Sequence, residues 1–150
     1  MYSFRKSKKG FTLIELMVVV AIIGVLSLLG LRLYTGQQER AKNAIVKANA
    51  GTIQTLIQSN MADKDYDQAT PAERVTAALA DITDAAGCRN PHTGVTGNAG
   101  VIFESAGALA AGDAANRGKV AVASPAENQF KIQGLDQGGA LFGDVLTAQK

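Results

Sequence analysis

The chain has 150 residues, of which 47% are hydrophobic and 5% aromatic, and it contains no tryptophan. That length suits one small domain joined to one long helical extension, and the domain must have a core of small aliphatic side chains. Four of the 15 basic residues lie in the first ten positions, so the rest of the chain carries 11 basic against 13 acidic residues and no overall electrostatic footprint for nucleic acid.

A short basic stretch ends at Gly10 and is followed by an apolar run from Phe11 to Leu31. Twenty-one helical residues extend about 30 Å, which is enough to cross a bilayer. The alternatives are a buried core helix and a secretory signal peptide. A secretory signal needs a small-residue cleavage site after the run, and the segment Arg32 to Gly36 is a poor fit. The pattern therefore predicts a membrane-spanning helix, and the basic cluster before it favours a cytoplasmic N-terminus.

One acidic residue, Glu15, interrupts the apolar run. A carboxylate near the bilayer centre costs about 2.5–3.5 kcal/mol, so it indicates a function unless it lies at headgroup depth in contact with water. If the chain were cut after Gly10, the new α-amine of Phe11 would be a cation at membrane depth. Because each group is costly alone in lipid, the carboxylate of one molecule and the amine of another would pair and set a register. We interpret Glu15 as an assembly residue.

These residues resemble a known signature. The run KKG-FTLIELMVVVAIIGVL is similar to the N-terminus of type IV pilins and of type II secretion pseudopilins. The resemblance covers residues 5 to about 31 and is specific, because leader charge, terminal glycine, phenylalanine and offset glutamate coincide. It implies cleavage between Gly10 and Phe11 by a membrane-bound prepilin peptidase, which also N-methylates Phe11. It further implies that Glu15 pairs with the Phe11 amine of a neighbouring subunit.

The resemblance also implies fold, location and partners. The expected fold is an α+β, pilin-like lollipop: a long N-terminal helix, half membrane-embedded and half amphipathic, packed on a small antiparallel β-sheet with a second short helix. The subunit would wait in the bacterial inner membrane, within the lipid bilayer, and then polymerise with the assembly machinery into a surface pilus used for adhesion or motility. The alternative is a pseudopilin of a type II secretion or competence system, which forms a short periplasmic fibre. The C-terminal segment 141–150 lacks tryptophan and a clustered acidic loop, which favours the pilin.

The predicted organisation has four segments: a leader (1–10), a transmembrane or filament-core helix (11–31), an amphipathic helix (32–62) and a small C-terminal domain (63–150). The helix is expected from about Thr12 to Met61, without proline. Its second half has apolar residues at three- and four-residue steps, which predict a buried stripe. The stripe contains Ala41, Ala44, Ile45, Ala48, Ile53, Leu56, Ile57 and Met61.

Glycines interrupt the helix propensity of this long segment, each at about 1 kcal/mol relative to alanine. Gly24 and Gly30 fall in the apolar half. One interpretation is close approach between helices, which small residues permit in membranes. The other is a place where the helix loosens during assembly.

After the helix, Asp63, Asp65 and Asp67 alternate as at the start of a calcium loop. The later loop positions hold Gln68 and Arg74 instead of the required glycine and glutamate, so a solvated connector is expected and no metal site. A second helix begins at Pro71, where Thr70 and Glu73 form a capping box. Its predicted buried face is Val75, Ala78, Leu79 and Ile82, and Gly87 is expected to end it.

The remainder is rich in turn residues and contains four strand candidates. They are 101–104, 119–123, 129–133 and, most weakly, 140–146. The single cysteine, Cys88, cannot form an intramolecular disulfide and is expected to be a buried, inert thiol, with an intersubunit thiol as the alternative. His92 lies alone in a turn-rich segment, where a surface loop is expected. A local basic patch could come from Arg117, Lys119, Lys131 and Lys150.

No group of residues in the sequence has the composition and context of a catalytic site: there is one histidine, no phosphate-binding loop after a strand and no paired carboxylates in an apolar setting. We therefore predict a structural protein that is not an enzyme and that needs no cofactor and no small-molecule substrate. A third hypothesis is a membrane-anchored binding domain that does not polymerise, for which Glu15 would be dispensable.

Overall fold

The computed structural model describes residues 10–66, 70–80, 87–105 and 107–150. Helix α1 extends over Leu13–Asp63, within two residues of the predicted bounds, and helix α2 over Pro71–Ala80. A single turn of helix, α3, covers Asn98–Val101. Four strands follow in the described part of the chain: β1 Ile102–Ser105, β2 Val120–Ala126, β3 Gln129–Leu135 and β4 Leu141–Gln149. The α+β class and all four strand candidates are confirmed.

The chain divides after Gln38 into two compact units, and each is described by itself. The first contains the apolar part of α1. The second, from Glu39 onward, contains the rest of α1 and all of the sheet.

The sheet has the order β1-β2-β3-β4 and is mixed. β2, β3 and β4 are antiparallel neighbours, as predicted, whereas β1 runs parallel to β2, with Ile102 opposite Val120. The prediction of a wholly antiparallel sheet was therefore wrong at one edge. A parallel pair needs a crossover of about a dozen residues or more. The glycine-containing segment between Ser105 and Val120 is long enough to provide one, and strand pattern alone does not reveal the direction of pairing.

The core of the second unit lies between the sheet and one face of α1. The buried residues of that face are Val46, Asn49, Ala50, Ile53, Ile57 and Met61. Opposite them lie aliphatic side chains of β2 and β3 together with Phe130, whose ring contacts the edge of Tyr66 at 5.6 Å between centroids. As composition indicated, most of the core is small and aliphatic.

The predicted stripe of α1 is only half correct. Ile53, Ile57 and Met61 are buried, but Ala41, Ala44, Ile45 and Ala48 are exposed. The buried face instead continues through Ala50 to Val46. Apolar residues lie on two faces of this part of the helix, so periodicity could not tell which face meets the sheet.

Helix α2 packs against β1 and β2. Its capping box is confirmed, since the Thr70 hydroxyl donates to Glu73 Oε2 at 2.8 Å and the Glu73 amide donates to Thr70 Oγ1 at 3.3 Å. Val75, Ala78 and Leu79 are buried as predicted, while Ile82 lies outside the described residues. The structure also buries Arg74, whose Nε donates to Ser124 Oγ at 2.9 Å. No pattern in the sequence indicates that contact.

Candidate assembly site

The first part of α1 is uncovered. Every residue from Leu13 to Ala41 is exposed, including the large aliphatic side chains. The helix is long and apolar enough to cross a membrane, and its most apolar 18-residue window has no buried residue. Monomeric soluble proteins rarely expose a continuous apolar surface of this size. This half of the helix therefore needs lipid or other protein chains around it.

The predicted cleavage site lies just before the helix. Gly10 and Phe11 have no regular secondary structure, and both are exposed, Phe11 to 89%. Apart from its chain neighbours, no described residue has an atom within 4 Å of the position that a Cβ of Gly10 would occupy. Residues 1–9 of the predicted leader lie outside the described residues. The peptide bond between Gly10 and Phe11 is thus not protected by the described part of the chain.

Glu15 lies in the first turn of α1 and bonds back to the residue that caps it. The Thr12 amide and hydroxyl both donate to Glu15 Oε2, at 2.8 and 2.7 Å, and the Glu15 amide donates to Thr12 Oγ1 at 3.4 Å. This is a capping box, which satisfies amide groups that have no partner inside the helix. All the hydrogen bonds of the carboxylate go to Oε2, so Oε1 has no partner among the described residues.

The contact between Thr12 and Glu15 was missed by the sequence reading. The signal was present, because Thr-x-x-Glu before an apolar run is the same pattern that predicted the start of α2. Glu15 was interpreted only as a charge in lipid. The structure adds that Thr12 holds this carboxylate in a defined orientation.

Gly24 and Gly30 lie in the uncovered part of α1, and apart from the neighbouring backbone of that helix no described residue comes within 4 Å of the Cβ position of either. The helix is continuous through both. Neither residue is therefore required to be glycine by a contact within the described chain. Their role in close packing or helix loosening stays a prediction.

The lone cysteine is buried, as predicted. Burial raises the pKa of the Cys88 thiol above its usual 9.0, and a hydrogen bond with Thr52 opposes this shift. The thiol is therefore protonated at neutral pH. A protonated and buried thiol reacts slowly, which agrees with a structural side chain.

His92 lies in a turn, as expected, but its side chain is half-buried and packs beside Gly118. Burial lowers the pKa of His92 below 6.5, and the cations Lys42 and Arg117 add to this, against Asp136 and Glu39. The loop is organised by Asn90, which is fully buried. Its Nδ2 donates to the carbonyls of Gly100 and Arg117, each at 2.9 Å, and its Oδ1 accepts from the His92 amide.

The acidic segment after α1 is used for an ion pair. Lys150 Nζ lies 2.8 Å from Asp65 Oδ1. In the part of the chain that the structure describes, no three residues of His, Cys, Asp or Glu gather in a way that could hold a metal ion, and Asp67 lies outside that part.

Comparison with known proteins points in one direction. The family model described as the prokaryotic N-terminal methylation motif matches residues 5–31. The type IV major pilin protein PilA of Myxococcus xanthus (strain DK1622) is 40% identical over 62 residues, which are 41% of this chain and 28% of PilA. The fimbrial protein EcpB of Eikenella corrodens is 38% identical over 66 residues, 44% of this chain and 42% of EcpB.

A third relative is the type IV major fimbrial protein FimA of Dichelobacter nodosus. It is 32% identical over 94 residues, which are 51% of this chain and 60% of FimA. The chain thus spans less than two thirds of the length of these relatives. No solved structure matches it.

The fold and the site combine an α+β architecture with an uncovered apolar helix that begins within a methylation motif. The chain is similar to type IV pilin and fimbrial proteins, and its residues 5–31 match the methylation motif. Its apolar helix and its motif fit anchoring in a membrane before assembly.

Proposed function

We propose that the chain is the repeating subunit of a type IV pilus. It is made as a precursor, held in the inner membrane by α1, freed of residues 1–10 and methylated at Phe11, and it then polymerises through α1. The observation that carries this proposal is the complete exposure of α1 from Leu13 to Ala41. Lipid covers this surface in the precursor, and the same surface of other copies covers it in the filament.

The processing step needs an accessible bond. A peptidase binds its substrate in an extended conformation, and residues 10–12 precede the first helical residue, Leu13. Hydrolysis between Gly10 and Phe11 removes the basic leader and leaves a new amine on Phe11. The helix need not unwind for this reaction.

Glu15 then supplies the partner for that amine. Thr12 holds Oε2 with two hydrogen bonds, and Oε1 is left without a partner in the described chain. An ammonium group from another copy can donate to Oε1 while the capping box remains intact. Charge-assisted hydrogen bonds are stronger than neutral ones, and both groups avoid an unpaired charge in an apolar environment. The pair therefore fixes the position of each subunit along the filament axis relative to its neighbour.

The pseudopilin remains the second candidate for the same chemistry. The relatives reported above are named as pilin or fimbrial proteins, which supports the pilus. The two candidates differ in where the polymer is found: on the cell surface for the pilus, and in the periplasm for the pseudopilus.

The first test is the intact mass of the protein from cells. We expect a chain that begins at Phe11 and carries one added methyl group. A mature protein that retains its first ten residues would contradict the proposal.

The second test replaces Glu15 by alanine. We expect Glu15→Ala cells to lose surface filaments while the subunit remains in the membrane fraction at its usual amount, as measured by electron microscopy and immunoblotting. Glu39→Ala is the matched control, because Glu39 is an exposed carboxylate on the same helix beyond the apolar run. Normal filaments in Glu15→Ala cells would favour a membrane-anchored domain that never polymerises.

A further inference from the structure

A groove lies between α1 and the start of β4, within the unit that follows Gln38. One part of it, the basic groove, is lined by Arg40, Asn43, Ala44, Lys47 and Phe142. Next to it is a cavity of about 90 Å³ that shares Lys47 and Phe142 and is closed by Ala50, Gly134, Asp144 and Leu146.

Two glycines shape this groove. A Cβ on Gly134 would lie 2.9 Å from the Phe142 ring and from Val46, so the missing side chain lets the ring lie against the sheet. Gly143 has a φ of 77°, and Cε of Lys47 lies 2.7 Å from the position that its Cβ would occupy. The stem of Lys47 therefore crosses the strand at this glycine.

The two cations of the groove form no ion pair within the described chain. Arg40 and Lys47 are two helical turns apart, about 10 Å along the axis. Neither forms an ion pair or a side-chain hydrogen bond with any described residue. Asp144 lines the adjoining cavity but forms no ion pair with Lys47. The groove thus has a net positive charge next to an aromatic ring, and it fits a carboxylate carried on a protein surface.

Unpaired carboxylates lie at the other end of the same unit. Asp63, the last residue of α1, and Glu127, in the turn between β2 and β3, are exposed and have no side-chain partner in the described chain. The turn lies beside the end of α1, because Asn128 Oδ1 accepts from the Tyr66 amide at 2.7 Å. Several other carboxylates are engaged: Asp65 in an ion pair, Glu73 in the cap of α2, Asp113 with the amides of residues 115 and 116, and Asp136 in its own turn. Glu39 and Asp144 are also exposed and have no side-chain partner in the described chain, but Glu39 precedes Arg40 on α1 and Asp144 lies beside the groove, so neither belongs to the far end.

These two charged ends cannot meet within one chain. Lys47 and Asp63 are sixteen residues apart on one helix, which places them about 24 Å apart. They can meet between two copies that are displaced along α1. Such a contact joins different surfaces of the two copies, and a contact of this kind generates a filament when the rotation between successive copies does not close a ring.

We propose that the basic groove of one copy binds the carboxylates at the far end of a second copy, with Asp63 at Lys47 and Arg40. This contact rests on the proposed function, since it operates in the filament. Glu15 fixes the axial offset between neighbouring copies at the membrane end of α1. The basic groove fixes the same offset between their folded domains.

The test is a disulfide between copies. A disulfide needs Cα atoms about 4.4–6.8 Å apart, so a bond between Lys47→Cys and Asp63→Cys cannot form within one chain. Cys88 is buried and does not interfere. In filaments of the double variant we expect a ladder of covalent multimers on non-reducing gels, and none from either single variant. Lys131→Cys with Asp63→Cys is the control, because Lys131 lies on β3 away from the groove.

Charge reversal supplies the second measurement. We expect Lys47→Glu to lose filaments and the combination of Lys47→Glu with Asp63→Lys to recover them, while Lys131→Glu has no effect. The inference would be overturned if filaments of the Lys47→Cys and Asp63→Cys double variant gave no ladder, or if the control pair with Lys131→Cys gave an equal one. Normal filaments in cells with Lys47→Glu alone would overturn it as well. Failure of the proposed function is distinguishable, because the unsubstituted chain would then keep its leader and form no filaments.

Discussion

The two halves of α1 have opposite surroundings. From Leu13 to Ala41 no residue is buried, whereas from Val46 to Met61 six residues are buried against the sheet and its loops. The same helix therefore packs against its own domain in one half and, among the described residues, against no other element in the other. Substitutions in the two halves should separate accordingly: those in the second half change the stability of the domain, and those in the first half change assembly.

The largest difference is expected for isoleucine. Ile53→Ala removes a fully buried side chain and should lower the free energy of unfolding by about 2–5 kcal/mol, through lost transfer energy and a cavity. Ile22→Ala removes a side chain that is 54% exposed, so the change should stay within about 0.5 kcal/mol. Urea unfolding of the full chain in detergent micelles, followed by near-UV circular dichroism, measures both. A large loss for Ile22→Ala would show that the first half is covered.

Glycine gives the next contrast. In Gly134→Ala the new Cβ would lie 2.9 Å from Phe142 and Val46, and overpacking of this kind costs about 1–3 kcal/mol. In Gly24→Ala the new Cβ meets no described residue beyond its own helix within 4 Å. The gain of about 1 kcal/mol in helix propensity falls in the unit before Glu39, so the unfolding of the domain does not report it. We expect a lower unfolding midpoint in urea for Gly134→Ala and an unchanged one for Gly24→Ala. Equal midpoints for the two variants would contradict the packing at Gly134.

The two capping boxes sharpen the comparison. Thr70→Ala should destabilise the domain by about 0.5–2 kcal/mol. Helix α2 is packed on the sheet, and the Thr70 hydroxyl bonds the Glu73 amide, which has no partner inside the helix. Thr12→Ala removes the two equivalent hydroxyl hydrogen bonds at the uncovered start of α1, where fraying leaves the domain intact. Thermal unfolding should therefore shift for Thr70→Ala alone. A shift of similar size for Thr12→Ala would mean that the helix start is coupled to the domain.

The smallest effect is expected from pH. The folded-state pKa of His92 lies below 6.5, since burial and the nearby Lys42 and Arg117 disfavour the charged ring more than Asp136 and Glu39 favour it. The unfolded chain therefore takes up the proton first, and stability present above pH 6.5 is lost as pH falls toward the folded-state pKa. The free energy of unfolding measured in urea at several pH values should show this loss. His92→Gln should flatten it, and an equal loss in that variant would assign the effect to other groups.

Much of the candidate site is local in sequence and was predictable. The apolar run, the glycine before Phe11 and the offset Glu15 need no tertiary information, because their spacing along one helix is fixed by helical geometry. The cap formed by Thr12 was equally local and was missed only because Glu15 was interpreted as a charge in lipid. The basic groove was not predictable, since Lys47 and Phe142 are brought together by the folding of β4 against α1.

The sequence by itself determined the bounds of α1 to within two residues, the presence and chain order of the four strands, the capping box of α2 and the apolar half that requires a partner. These features follow from periodicity, propensity and caps, which act within a few residues. Tertiary structure alone decided that Val46 rather than Ile45 faces the core, that β1 runs parallel to β2, and that Arg74 and Asn90 are buried. Those outcomes depend on packing between segments distant in the chain, and a helix with apolar residues on two faces takes its buried face from whatever packs against it.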